Sequence, residues 1–299
     1  DNGHSLGPHL ALGSAHFGAR YGIDADRAQS REEIAGILDA AAAAGISLID
    51  TAAEYGASEK IIGELDGGPQ RFNVITKTVK IPEGSSPSDA ATLVAEGLDH
   101  SLKRLRRSSV YAVLVHRSAD LLGPNGPAIH GVLRLAKEAG QVGKIGVSAY
   151  APEEIEAAVE RFAIDIAQCP INVFDQRATT SLASFRRSNV EIHARSVFLQ
   201  GLLLRPPGAL PAALSFAKKP LERFGKRSIE IGLTRAQAAV AFVANYPDVY
   251  AIIAGVRSLQ ELGELVKAVD APIPPHVFRD LATNDPRLIS PSTWFADSE

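Results

Sequence analysis

Short apolar runs alternate along the chain with longer segments in which apolar residues recur every three or four positions. The short runs are nearly continuous in apolar residues, a pattern typical of strands that are covered on both faces. The longer segments have the period of amphipathic helices. Eight short runs are predicted as strands: 10–14, 47–51, 73–77, 111–116, 144–150, 166–172, 191–198 and 249–255.

Helix-start signals support the helical interpretation of the longer segments. Ser30, Thr234 and Ser258 are each followed at the third position by Glu or Gln, which is the spacing of a capping box. Pro87 and Pro152 suit the first turn of a helix, where a missing backbone N–H costs little. The predicted helices are 31–45, 58–65, 88–105, 128–140, 152–162, 181–187, 234–246 and 258–269.

This alternation predicts an α/β fold, a closed parallel (β/α)8 barrel of the TIM-barrel type, formed by residues 1–299 as a single domain. A doubly wound sheet would usually show a glycine-rich turn after its first strand, but residues 13–22 do not match G-x-G-x-x-G. The proline-rich segment 205–232 and the tail 271–299 are predicted as irregular structure near the rim. Lids and pocket walls of barrels are often found in such segments.

The composition argues against several kinds of partner and compartment. The 299-residue chain has a net charge of −3, which gives no reason to expect nucleic acid or an anionic membrane. Its single cysteine, Cys169, excludes an intrachain disulfide and suits a reducing compartment, so we expect a cytoplasmic protein. No apolar run reaches the roughly 20 residues that cross a bilayer, and no secretory signal opens the sequence. The chain begins at Asp1 without a methionine, which leaves a processed targeting segment open.

Three predicted strands end in a side chain that is costly to bury, namely Asp50, Lys77 and His116. The carboxyl ends of barrel strands meet at one rim, where these side chains would be neighbours. Asp50 and Lys77 can offset each other's charge, and Tyr55 can reach them from the loop of small residues after Asp50. An ammonium favours the phenolate form of a neighbouring tyrosine. The sequence therefore predicts a tyrosine acid that protonates an alkoxide as it forms.

These residues resemble the signature of the aldo-keto reductase family. The segment DTAAEYGASE (50–59) matches D-T-x-x-x-Y-G-x-S-E, and ITK (75–77) and VLVH (113–116) follow in the family's order. The resemblance covers about residues 10–268 and is specific, because the motifs agree in register with the strand–helix alternation. Later blocks are also similar, two of them to bacterial members: 143–148, 167–177, 196–204 and 252–262.

The resemblance implies a reversible reduction of an aldehyde or ketone by NAD(P)H, without a metal. Asp50, Tyr55, Lys77 and His116 would form the catalytic tetrad. Tyr55 would donate its proton to the carbonyl oxygen as hydride arrives from the nicotinamide, and His116 would hydrogen-bond that oxygen. A proton transfer of this type contributes about 10²–10⁴ in rate.

The resemblance also assigns residues to the cofactor. Ser148 and Gln168 would hold the nicotinamide carboxamide, although Ala149 stands where the family usually has asparagine. Arg195 occupies the position of an aromatic ring that stacks on the nicotinamide in many members, and a guanidinium can also lie flat on a ring. The pyrophosphate and adenosine would lie along Phe198, Gln200, Leu202, Gly255, Arg257, Glu261 and Glu264.

Mixed signals at the adenosine end bear on the choice of cofactor. A helix that begins at Ser258 offers free N–H groups to a phosphate, and Arg257 could pair with a 2′-phosphate. Glu261 stands where the family often has arginine or glutamine, and Leu265 replaces a frequent asparagine. NADP(H) is favoured on family grounds, with NAD(H) as the alternative. Glu261 is also interpretable as the carboxylate of a capping box with Ser258.

The substrate is expected to be a small-molecule carbonyl or alcohol. Polar residues near the predicted rim, Arg20, Arg117 and Asp175, favour a hydroxylated compound such as a sugar over a steroid. The tail tryptophan could wall the pocket or anchor the tail by packing. The candidate substrate contacts are Phe17, Tyr21, Arg117, Phe174 and Trp294.

Two other classes of function stay open. One is a nucleotide-binding barrel that acts as a redox sensor or regulatory subunit, as do auxiliary subunits of potassium channels that resemble this family. The complete tetrad disfavours a purely structural role. The other is a metal-dependent barrel hydrolase, which is disfavoured because His16, His130 and His193 lack H-x-H or H-E-x-x-H spacing.

Overall fold

The structure is a computed structural model that describes residues 9–17, 29–66, 70–274, 276–291 and 294. Within these residues eight parallel strands close into a barrel, in the order in which they follow along the chain. Every predicted strand is confirmed to within three residues at either end. The strands are β1 (His9–Gly13), β2 (Leu48–Asp50), β3 (Asn73–Lys77), β4 (Val110–Val115), β5 (Val142–Ser148), β6 (Ile166–Pro170), β7 (Glu191–Arg195) and β8 (Val249–Ala254).

Helices follow the strands and cover the barrel. The eight predicted helices are confirmed, and Ser30 and Thr234 form complete capping boxes with the residues three positions on. None of the helices in the described part of the chain is both long enough and apolar enough to cross a membrane. The helices are α1 (Arg31–Ala43), α2 (Ser58–Leu65), α3 (Pro87–Leu105), α4 (Ser118–Leu122), α5 (Gly126–Glu138), α6 (Pro152–Arg161), α7 (Leu182–Arg187), α8 (Lys218–Glu230), α9 (Arg235–Ala244), α10 (Leu259–Val269) and α11 (Pro286–Ile289).

The prediction of irregular structure over 205–232 is wrong for its second half, which forms α8. Only two large apolar residues of this helix are buried, Leu221 and Phe224, so few apolar positions mark it in the sequence. The helix is tied to the segment between α10 and α11 by tertiary contacts, because Arg223 and Arg227 both pair with Asp280. Tertiary packing and ion pairs thus stabilise a helix that the sequence pattern of apolar residues does not predict.

The barrel interior is filled by side chains and is not an open channel. Side chains two positions apart on a strand share a face, so Leu48 and Ile75 lie on the same face as Asp50 and Lys77. The buried ion pair at the strand ends therefore rests on an apolar floor. The larger apolar core lies outside the strands, against the buried faces of the helices. The interior cluster consists of Ala11, Leu48, Ile75, Ala112, Leu114, Ile166, Ala251 and Ile253.

Candidate active site

An ion pair joins the ends of the neighbouring strands β2 and β3. The Nζ atom of Lys77 donates to both carboxylate oxygens of Asp50 at 2.8 Å and to the carbonyl oxygen of Thr51 at 2.8 Å. Asp50 and Lys77 are 4% and 2% exposed. A buried pair is stable only if its hydrogen bonds are made, and here each ammonium proton has an acceptor.

Tyr55 lies beside this pair, in the loop between β2 and α2. Its backbone N–H donates to the carbonyl of Ala52 at 3.1 Å, and Gly56 follows with a φ of 54°, a conformation that favours glycine. The Lys77 Nζ atom lies 4.9 Å from the centroid of the Tyr55 ring. Burial alone would lower the pKa of Lys77, but Asp50 and then Tyr55 outweigh it and raise that pKa. Lys77 is therefore a permanent cation next to the phenol.

His116 follows β4 and completes the group. Its backbone N–H donates to the Thr78 hydroxyl at 3.2 Å, and its ring centroid lies 6.0 Å from that of Tyr55, edge to face. Burial, together with the Lys77 charge, lowers the pKa of His116 to about 4 even though Glu54 lies 3.8 Å from Nδ1. The imidazole is consequently neutral near pH 7. The structure thus brings the four predicted tetrad residues together at one rim.

These side chains open onto a cavity of about 570 Å³. It extends from Asp50, Tyr55 and His116 past Gly255, which follows β8, to Glu261 in α10. A second cavity of about 330 Å³ adjoins it at the beginnings of α9 and α10. The two share the residues Phe198, Leu204, Gly255 and Glu261. Together they form an elongated cleft.

The two residues expected at the nicotinamide carboxamide differ in their surroundings. Ser148 lines the cavity at the end of β5. Gln168 is fully buried, and its Nε2 donates to Oδ1 of Asp50 at 2.5 Å, while its Oε1 is buried without a partner. Gln168 is thus bonded to the Asp50 carboxylate and, unlike Ser148, does not line the cavity.

The loop after β7 forms one wall of the cavity. Ser196, Leu199 and Gln200 have φ values of 55°, 50° and 53°, in the left-handed region that non-glycine residues rarely occupy. Strain of this kind is often found at binding sites. Phe198 and Gln200, predicted along the cofactor, line the cavity. The prediction for Leu202 is wrong, because this side chain is fully buried in the apolar core.

The far end of the cleft has an acidic side chain at the start of α10. Gly255, Arg257 and Glu261 line the first cavity and Glu264 lines the second. The Ser258 hydroxyl accepts the N–H of Glu261 at 3.1 Å, which confirms Ser258 as the N-cap. The Glu261 carboxylate accepts the backbone N–H of Arg257 at 2.6 Å, so it braces the loop and also faces the cleft.

Most of the predicted substrate contacts are not in the cavity. Phe17 and Phe174 are fully buried in the apolar core, and the Trp294 indole is buried and donates to the carbonyl of Arg287 at 2.7 Å. Those three predictions are wrong, and Trp294 is the packing anchor that was the alternative. Arg117 is half exposed, pairs with Asp120 and does not line the cavity. Tyr21, like Arg20, lies outside the described residues.

Other residues take their place on the cavity wall. Tyr150, which is exposed, follows β5, and Leu204 and Pro291 contribute apolar surface. His16 lies between β1 and β8, where its Nε2 is 2.7 Å from the carbonyl oxygen of Val256. Burial lowers the pKa of His16, so its ring is neutral near pH 7. His16 comes three residues after β1. Functional side chains of barrels lie at the carboxyl ends of the strands, so the argument that points to His116 also points to His16.

The cleft fits an extended dinucleotide. Its lining runs from Tyr55 and His116 to the start of α10, and Gly255 lines both cavities without a side chain. A Cβ at Gly255 would lie 3.0 Å from Cε1 of His16, so a side chain at this position would crowd the His16 ring. The described residues include no group of three or more His, Cys, Asp or Glu side chains close enough to hold a metal ion.

Comparisons with known proteins agree with this geometry. The chain is 27% identical over 304 residues to the uncharacterized oxidoreductase YrpG of Bacillus subtilis, covering 91% of the chain and 90% of that protein. It is 25% identical over 272 residues to a probable voltage-gated potassium channel subunit beta of Oryza sativa, covering 80% and 82%. The fold matches that of aldo-keto reductase AKR11C1 from Bacillus halodurans with a TM-score of 0.75 at 20% identity, covering 92% of each chain.

A family model supplies the assignment. Residues 9–284 match the model of the aldo/keto reductase family, a stretch that includes the eight strands of the described residues and the four predicted tetrad positions. Aldo-keto reductases use NAD(P)H to reduce carbonyl groups and need no metal. The chain therefore belongs to the aldo/keto reductase family and is an NAD(P)H-dependent oxidoreductase.

Proposed function

We propose that the protein reduces an aldehyde or ketone to an alcohol with Tyr55 as the general acid. Bound NAD(P)H supplies the hydride. The Tyr55 hydroxyl gives its proton to the carbonyl oxygen as that oxygen gains negative charge, so the carbonyl becomes an alcohol. The single observation that carries this role is the Lys77 ammonium, fixed by Asp50 and 4.9 Å from the Tyr55 ring centroid. A positioned proton donor of this kind contributes about 10²–10⁴ in rate.

Lys77 stabilises the tyrosinate that remains after the proton has left. Its own charge is secure, because Asp50 raises its pKa despite burial. The reverse reaction uses the same groups, with tyrosinate taking the proton from the alcohol. We therefore propose that the protein catalyses the interconversion in both directions.

His116 orients the substrate. A neutral imidazole can donate one hydrogen bond to the carbonyl oxygen without competing with Tyr55 as the acid. The pKa of about 4 keeps His116 neutral over the pH range in which most enzymes work. The edge-to-face arrangement of the His116 and Tyr55 rings supports the idea that both approach one oxygen atom.

The cofactor occupies the elongated cleft in this proposal. Ser148 would hold the carboxamide, together with the unpaired Oε1 of Gln168, a residue that is buried and does not itself line the cavity, and Phe198 and Gln200 would lie along the pyrophosphate. Gly255, Arg257, Glu261 and Glu264 surround the adenosine. NADP(H) remains the favoured cofactor on family grounds, while the two glutamates act against a 2′-phosphate by like-charge repulsion.

A sensor or regulatory role is the second candidate, because relatives of rice and Arabidopsis thaliana are named as probable potassium channel beta subunits. One experiment separates the two. The purified protein is mixed with NADPH, and NADPH fluorescence and absorbance are followed before and after 4-nitrobenzaldehyde is added. Both functions perturb the fluorescence on binding, but only a reductase consumes NADPH in multiple turnovers. Binding without consumption across a panel of aldoses and simple aldehydes would reject the reductase.

A further inference from the structure

Arg195, at the end of β7, is a cation in the wall of the active-site cavity. Its Nη2 donates to the carbonyl oxygen of Ala149 at 2.9 Å, and its Nη1 donates to the Ser196 hydroxyl at 3.3 Å. The guanidinium carbon lies 4.5 Å from the centroid of the Tyr150 ring. Two neutral acceptors and one aromatic face therefore hold the guanidinium in place.

No carboxylate pairs with Arg195 anywhere in the described residues. Only two of its five N–H groups have an acceptor, and Nε is buried without one. The neighbouring Arg177 shows the contrast, since it makes two hydrogen bonds of 2.8 Å to the carboxylate of Asp175. A half-buried cation without a counter-ion is costly, and an anion that enters the cavity relieves that cost.

The guanidinium lies on the catalytic side of the barrel mouth. To reach Ala149 it crosses β6 to the end of β5, and β5 is the neighbour of β4, which ends just before His116. Neighbouring strands are about 4.8 Å apart, so Arg195 lies about one to two spacings, roughly 5–10 Å, from the strand that presents His116. A small substrate can span that interval with its carbonyl group at Tyr55.

We propose that Arg195, held against Tyr150, binds the anionic group of the substrate, so that the protein reduces carbonyl compounds that also carry a carboxylate or another oxyanion. This inference rests on the proposed reductase function and adds a substrate class to it. Arg195 then contacts the substrate and not the nicotinamide. The resemblance had implied the nicotinamide, because many family members have an aromatic ring at this position.

Local charge supports this class. Asp50 is neutralised by Lys77 within 2.8 Å, and Glu261 stands at the opposite end of the cleft. Arg195 is then the uncompensated charge at the reacting end among the described residues. A charge-assisted hydrogen bond to a guanidinium in such a site changes affinity by about 10- to 100-fold.

The test compares 4-carboxybenzaldehyde with 4-nitrobenzaldehyde, which have similar shapes but differ in charge. The ratio of kcat/KM for the carboxylate over the nitro compound is measured in the wild type, Arg195→Gln and Arg195→Lys. We expect the ratio to fall about 10- to 100-fold in Arg195→Gln and to recover in part in Arg195→Lys. Arg186→Gln is the control, because Arg186 pairs with Asp248 at the surface and its loss changes net charge by the same amount.

A second measurement covers binding apart from turnover. Calorimetry of 4-(hydroxymethyl)benzoate added to the protein with NADP⁺ should show weaker binding in Arg195→Gln by a similar factor. A ratio that stays constant in Arg195→Gln, with NADPH affinity reduced instead, would overturn the proposal and return Arg195 to the cofactor. If neither aldehyde is consumed but the carboxylate binds through Arg195, the reductase function fails while the anion site stands. If the carboxylate binds equally to wild type and Arg195→Gln, the anion site fails.

Discussion

The side-chain amide of Gln168 donates a hydrogen bond of 2.5 Å to Oδ1 of Asp50, an oxygen that also accepts from Lys77. The residue expected at the cofactor's carboxamide is therefore part of the buried network that fixes the cation next to Tyr55. One consequence is that an altered amide should disturb two properties together, stability and cofactor affinity.

Replacing Gln168 by leucine tests that link. The change removes a hydrogen bond to a buried carboxylate, so we expect the free energy of unfolding to fall by about 1–3 kcal/mol. It also removes the unpaired Oε1, so the affinity for NADPH should fall. Urea unfolding and fluorescence titration with NADPH measure the two effects. A loss of stability with unchanged affinity would mean that Gln168 supports Asp50 and does not touch the cofactor.

Replacing Tyr55 by phenylalanine removes the hydroxyl group that is the proposed acid and keeps the aromatic ring. We expect kcat with 4-nitrobenzaldehyde to fall by about 10²–10⁴ while the affinity for NADPH changes little. Tyr246→Phe is a matched control, since Tyr246 packs on Phe242 of α9, away from the cavity. Near-normal turnover of the Tyr55 variant would remove this residue from the mechanism.

The Asp50–Lys77 pair makes a prediction about stability. In Lys77→Met the Asp50 carboxylate stays buried without its counter-ion, which should lower the free energy of unfolding by about 3–5 kcal/mol. The double variant Asp50→Asn, Lys77→Met leaves no buried charge and should be more stable than the single variant. Denaturant unfolding of the three proteins measures the difference. Equal losses in the single and double variants would show that the pairing of the charges is not what matters.

Glu261 has two roles that substitutions can separate. Glu261→Arg removes a negative charge from the cleft and adds a positive one, so NADPH should bind more tightly relative to NADH. Glu261→Gln keeps an oxygen for the N–H of Arg257 and removes only the charge, so it should shift the ratio in the same direction by a smaller factor. Dissociation constants for both cofactors give the ratio. If it is identical in all three proteins, the side chain only braces the start of α10.

His116 should make stability depend on pH. The pKa of His116 is about 4 in the folded protein and 6.5 for an ordinary histidine, so in this window the unfolded chain binds more protons. The free energy of unfolding therefore falls as the pH falls from 6.5 towards 4, by at most about 3 kcal/mol from this group.

The variant His116→Gln isolates that contribution. The pKa of His16 is also lowered by burial, so other histidines add to the slope and only the difference between the two proteins is informative. Urea unfolding at pH 7 and pH 5 should show a smaller loss of stability in His116→Gln than in the wild type. The same loss in both would mean that His116 is protonated as easily in the folded protein as in the unfolded chain.

The barrel, and the proximity of Asp50, Lys77 and His116 at one rim, could be predicted from the sequence because both depend on strong physical costs. Continuous apolar strands require cover on both faces, and a charged residue such as Asp50 at the end of such a strand requires a partner. The capped helix starts at Ser30 and Thr234 gave equally clear signals. These patterns are local or follow from the order of the strands, so they can be recognised in the sequence alone.

The walls of the pocket could not be predicted in the same way. Phe17 and Phe174 are aromatic residues near strand ends, but aromatic side chains fill a core as readily as a binding site. Leu202 is assigned to the cofactor only by its place in a family-like block, and that resemblance does not reveal that the side chain, two residues after the left-handed Gln200, is buried in the core. Tyr150 is not among the predicted wall residues, because its contact with the guanidinium of Arg195 joins the ends of two different strands and has no signal in the local sequence.

Residues for the proposed chemistry and residues for recognition come from different parts of the chain. The four residues proposed to handle the proton lie between residues 50 and 116, at the ends of the consecutive strands β2, β3 and β4 or in the turns that follow them. The surfaces that would recognise a dinucleotide or a substrate come mainly from later turns, at 148–150, 195–204 and 253–264. The later turns can thus change, and with them the specificity, while the residues between 50 and 116 stay the same.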